Sequence, residues 1–183
     1  MDLKIPQQYK SFEYEGDVEW RDIFSIWKSY EAYQRDWQKH WLERGFESWD
    51  DWRNNYVAPL EPEKHRWKIY RIKNANQDVP LIYAVPSRGW QEKCYAGQKT
   101  KMIKDILTHP TVAENEKVKL MIENFPYQTM LTGIINKERI VLIEGMHRAL
   151  ALAQMKNIKG DVLIALTQFE GELPSIGRGN ISV

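Results

Sequence analysis

The sequence predicts an α+β fold, a mixed sheet with helices, preceded by a helical module. Three observations lead to it. Apolar residues alternate with period two over 67–72, an apolar run at 140–143 passes straight into an Ala/Leu helix pattern, and aromatic and aliphatic residues between 18 and 41 recur at steps of three or four. The composition of the 183 residues, 43% hydrophobic and 28% charged, suits one packed domain with or without an appendage. Eight Trp, nine Tyr and five Phe make the chain aromatic-rich, and each such ring buries on the order of 150–250 Å².

The stripe Ile23, Phe24, Ile26, Trp27, Tyr30, Tyr33, Trp37 and Trp41 predicts one long helix with Asp17 as N-cap and Gly45 as its stop. Ser48, with an acid three residues later, predicts a second helix that ends before Pro59. Seven of the eight tryptophans lie at or before position 67, so residues 1–66 read as a Trp-rich helical module. Helical spacing of rings predicts core packing, with a protein-docking face as the alternative. Residues 67–170 then read as an α/β domain: strands at 67–72 and 79–85, helices near 102–107 and 118–125, a hairpin of 130–135 with 139–143, a helix at 146–156 and a strand at 162–168. Residues 171–183 read as a mobile tail.

Net charge +1 conceals an asymmetry, because residues 1–66 hold ten Lys/Arg against fourteen Asp/Glu and residues 67–183 hold sixteen against eleven. The densest basic window, 68–104, is a candidate nucleic-acid surface, although the interleaving of basic and aromatic residues typical of such surfaces is weak. No apolar run approaches the roughly 18 residues of a membrane span. The first residues lack a secretory pattern, which makes the cytoplasm the expected compartment. One cysteine, Cys94, leaves no internal disulfide, and the four histidines show no metal-ligand spacing.

The segment Ile143-Glu144-Gly145-Met146-His147-Arg148 carries the clearest chemistry. A strand entering a helix through glycine leaves the first helical N–H groups without intrahelical acceptors, a setting that suits an anion. Arg148 can offer a planar fork of donors to phosphate oxygens, and His147 a donor that also titrates. Arginine in a first turn opposes the helix dipole unless an anion lies nearby. Glu144 can orient a metal ion or accept a proton, or simply fix the turn.

Gly145-Met146-His147-Arg148, followed by alanines at 149, 151 and 153, resembles the Gly-x-His-Arg-x-x-Ala box of the ParB/sulfiredoxin-like superfamily. The similarity spans about residues 116–167. It implies binding of nucleotide phosphates, as in ATP or CTP with Mg²⁺, through Gly145, Met146, His147 and Arg148, with Lys117 as an assisting cation and Glu144 as the candidate catalytic group. Hydrolysis and phosphoryl transfer are both compatible with such a box. Met146 stands where sulfiredoxin needs its cysteine, so that activity is not expected. Partitioning proteins carry an arginine pair in the box and a downstream helix-turn-helix domain; this chain has one arginine there and about thirty-five residues after it. A non-enzymatic interaction module with a degenerate anion site is the alternative, and ParB-like nucleic-acid processing a third reading.

Overall fold

The computed structural model describes residues 3–177. Strand β1 (Phe12–Val18) leads into helices α1 (Trp20–Glu31), α2 (Arg35–Leu42) and α3 (Trp49–Val57), then strand β2 (Trp67–Ile72). Short helices α4 (Ala75–Asp78), α5 (Arg88–Cys94) and α6 (Pro110–Ala113) precede α7 (Glu116–Glu123). The hairpin of β3 (Gln128–Asn136) and β4 (Arg139–Glu144), helix α8 (Met146–Leu152) and strand β5 (Asp161–Gln168) follow. The five strands form one mixed sheet in the order β1-β2-β5-β3-β4, with β3 and β5 parallel and the other pairs antiparallel. Among the described residues no helix is long and apolar enough to cross a membrane.

β3 and β4 are buried along almost their whole length, which means that both faces of the sheet are covered there. α1 reaches β3 by one buried hydrogen bond, from Trp27 Nε1 to Thr132 Oγ1 at 2.9 Å. Trp27, Trp41, Trp49, Trp52 and Trp67 are buried in the same apolar core as the strands. Those rings are therefore packing, and they are withdrawn from any docking face.

The first segment departs from expectation. Residues 12–18 pair antiparallel with β2, so Val18 lies opposite Trp67 in a strand and Asp17 caps nothing. The expected long helix is two helices, broken at 32–34, where Gln34 N–H bonds the Glu31 carbonyl. Gly45, at φ +76°, does end α2, and Ser48 does cap α3 through the Asp51 N–H at 3.1 Å. The strand expected at 79–85 is a 3-10 turn over Val79–Leu81, since Pro80 removes a ladder donor. Beyond it Tyr83 forms isolated bridges, to Val141 of β4 and to Met102. The helix expected near 102–107 is a 3-10 turn over Ile103–Asp105.

The acidic strand β1 meets the basic window. Asp17 lies 4.0 Å from Lys68, Glu15 2.6 Å from Arg71, and Glu13 2.9 Å from Lys73. Three of the eight basic residues in that window are thus matched by carboxylates of β1. The expected tail divides. Positions 178–183 lie outside the described residues, whereas within 171–177 Leu173 and Ile176 are buried and Ile176 bridges to Ser87.

Candidate functional site

Local geometry at the end of β4 sets every side chain of the box. The β3–β4 register shifts between Thr132, opposite Glu144, and Gly133, opposite Leu142. Ile143 is therefore an extra residue, and such a bulge re-aims the side chain that follows it. The carbonyl of Ile143 accepts a hydrogen bond from Tyr56 Oη at 3.0 Å, which brings α3 onto the box. Gly145 adopts φ +93°, and a Cβ there would stand 2.6 Å from Leu131 Cδ2. The dihedral requires glycine, and the Leu131 side chain of β3 would have to shift to admit a Cβ.

Arg148 is buried and its fork points into the protein. Nη1 donates to Thr129 Oγ1 at 3.0 Å and to the Met130 carbonyl at 2.8 Å, Nη2 bonds Glu144, and the Tyr30 ring lies 4.3 Å from the guanidinium. The anion that a first-turn arginine needs is supplied by the chain itself, four residues earlier. This corrects the expectation that the fork is open to phosphate. Met146 is likewise buried, so at most its backbone N–H is available to a ligand.

Beneath the box lies a second ion pair. Glu31 of α1 and Arg53 of α3 are both buried and bonded through two guanidinium nitrogens, and Glu31 also accepts from Trp49 Nε1 at 2.9 Å. The Arg53 guanidinium lies 4.1 Å from the Trp52 ring and 4.6 Å from the Tyr56 ring. Burial opposes its charge, but Glu31 more than offsets that and holds its pKa above the usual value. Burial raises the Glu144 carboxyl, against the lowering effect of Arg148. Glu144 Oε1 is engaged by Arg148, and Oε2 is buried without a hydrogen-bond partner among the described residues.

His147 is the box side chain that keeps contact with solvent. Burial lowers its pKa to about 4, and the charges of Lys117 and Arg148 push the same way. Its ring meets Trp90 of α5 at 5.7 Å in an edge-on arrangement. Lys117 of α7 is exposed, lies over the Trp37 ring at 4.6 Å and is 3.9 Å from Asp36. His40, on α2, is also lowered to about 4 by burial and then by Arg44, Arg53 and Lys117. The expected site thus separates into an inner part, Glu144, Gly145, Met146 and Arg148, and an outer part, His147 with Lys117.

Glu31, Arg53, Tyr56 and Trp90 were not indicated by the box. One sign of them is present in the sequence: Glu31 continues the Ile23, Trp27 stripe at a step of four, and an acid on a buried stripe requires a partner. Among the described residues no three His, Cys, Asp or Glu side chains converge as a metal centre. Comparison with protein-family models, with curated proteins and with solved structures finds no match.

Proposed function

We propose that the chain binds a phosphate-bearing ligand, of the nucleoside triphosphate class that the box resemblance implies, at the outer face of the box. The observation that carries this reading is the geometry of the junction: a partly buried histidine two residues after the Gly145 turn, on a helix packed against α7, which carries the exposed Lys117. A neutral His147 donates through one ring nitrogen, and Lys117 supplies the charge. Glu144 and Arg148 hold the turn from below. A mixed sheet with an antiparallel β3–β4 hairpin leading into α8 is compatible with the ParB/sulfiredoxin-like arrangement.

Mg²⁺ would arrive with the phosphates, because it keeps much of its water and needs few protein carboxylates. Were hydrolysis or phosphoryl transfer to follow, positioning and charge would supply most of the effect, because the Glu144 carboxylate, the expected catalytic group, is buried behind that outer face.

Thermal melting of the chain with ATP, CTP or GTP, each with Mg²⁺, tests the reading. A ligand at a hundred times its Kd stabilises by about 2.7 kcal/mol, so the melting temperature should rise with at least one nucleotide. Lys117→Ala and His147→Ala should each reduce that rise. No rise with any nucleotide overturns the proposal. It would then favour the second reading, an interaction module without a working anion site, for which the observation is that Arg148 spends its donors on Thr129, Met130 and Glu144.

A further inference from the structure

Trp90 stands apart from the other tryptophans. Trp20, Trp27, Trp37, Trp41, Trp49, Trp52 and Trp67 each meet another tryptophan or phenylalanine ring of the core. The one aromatic partner of Trp90 among the described residues is His147. The tryptophan is half-buried in the first half of α5, and the two residues before it, Arg88 and Gly89, are exposed. A Cβ on Gly89 would find nothing within 4 Å, so the helix surface at that position is open. Arg88 has no ion pair or hydrogen bond among the described residues.

The helix beneath this ring is firmly held. Tyr95 Oη donates to the Val85 carbonyl at 2.9 Å, and Gln91 Nε2 bonds the Lys99 carbonyl at 2.9 Å and Ser175 Oγ at 3.0 Å. Backbone bonds from Trp90 and Gln91 to Ser87 close the first turn. A large aromatic ring on a fixed support, packed against the core yet partly exposed and meeting a histidine, has the parts of a stacking platform. Stacking is tolerant of base identity because every base presents a π face.

Resting on the nucleotide reading above, we propose that Trp90 is the base-binding residue of this site: the nucleobase stacks on the Trp90 indole while the phosphates are held at His147 and Lys117. The ligand class is therefore a nucleotide, as distinct from inorganic polyphosphate or a phosphorylated aliphatic compound.

Calorimetric titration of the full chain with ATP and with inorganic tripolyphosphate, both with Mg²⁺, tests this in the wild type, Trp90→Ala and Trp90→Phe. Loss of stacking predicts that Trp90→Ala binds ATP about 5- to 150-fold more weakly, keeps tripolyphosphate within about twofold, and that Trp90→Phe retains most of the ATP affinity. Retained tripolyphosphate binding also shows that the variant is folded. Equal loss of both ligands would make Trp90 a support for His147 and overturn the proposal, as would unchanged ATP binding or a wild type that takes ATP no better than tripolyphosphate. In those cases phosphate binding still stands. A wild type that binds neither ligand overturns the phosphate reading itself, and the base platform with it.

Discussion

Glu31, the last residue of α1, and Arg53, in the middle of α3, close a two-nitrogen ion pair with both side chains more than nine-tenths buried. The pair lies between the helices and the box, and its charges act on Glu144. Two acids and two arginines, Glu31, Arg53, Glu144 and Arg148, thus form a balanced group inside the protein. Balance matters there because a buried charge without a partner is costly.

Arg53→Ala strands the Glu31 carboxylate and should destabilise the fold by about 3–5 kcal/mol in urea unfolding. Replacing both members, Glu31→Leu with Arg53→Met, should cost less than Arg53→Ala alone, because no charge remains to be desolvated. A loss below about 1 kcal/mol for Arg53→Ala would match an exposed pair and contradict the buried one.

Gly145→Ala meets two obstacles, the +93° φ and Leu131 Cδ2 at 2.6 Å. We expect a loss of about 2–5 kcal/mol from backbone strain and overpacking together. The packing share can be isolated by adding Leu131→Ala: the double variant should lose less than the two single losses combined, as residues in contact do. Strict additivity in equilibrium unfolding would show that Leu131 does not confine the turn.

Two histidines make the fold acid-sensitive. His40 and His147 are lowered from 6.5 to about 4, so between those values the unfolded chain binds more protons than the folded one and stability rises with pH. Acidification from pH 6.5 to 4 should therefore cost stability progressively, up to about 3 kcal/mol for the deeper His147. Glu144 works in the opposite sense: with its folded pKa raised, its contribution is complete below the ordinary carboxylate value and fades as pH climbs through the raised one. Comparing His147→Gln with wild type across this range isolates the histidine. Parallel stability curves for the two proteins would refute the assignment.

Elements with strong local signals were legible from residue order alone. β2, the β3–β4 hairpin, α7, α8, β5 and the Ser48 cap follow from periodicity and turn chemistry. β1 was missed because its alternation, Phe12 and Tyr14 among acids, is short and broken by a bulge between Tyr14 and Gly16. Its pairing with β2 is set by contacts far along the chain. The box was legible as a strand-glycine-helix junction, but the direction of Arg148 was not. That direction depends on the bulge at Ile143 and on Tyr30 and Thr129, which no spacing within the box encodes.

The pairing of β1 with β2 makes the Trp-rich segment an insertion between two neighbouring strands. A shortened chain beginning at Trp67 would lose the strand that covers one margin of the sheet, leaving the backbone donors and acceptors of β2 open along that side. It would also uncover the Trp67 ring, which Trp20 meets at 5.3 Å, and the part of β3 that Trp27 covers. Exposed strand margins of that kind recruit further chains, so the expected fate of such a fragment is self-association. The region with the readable chemistry and the region with the tryptophans thus share one apolar core, and each depends on the other for its cover.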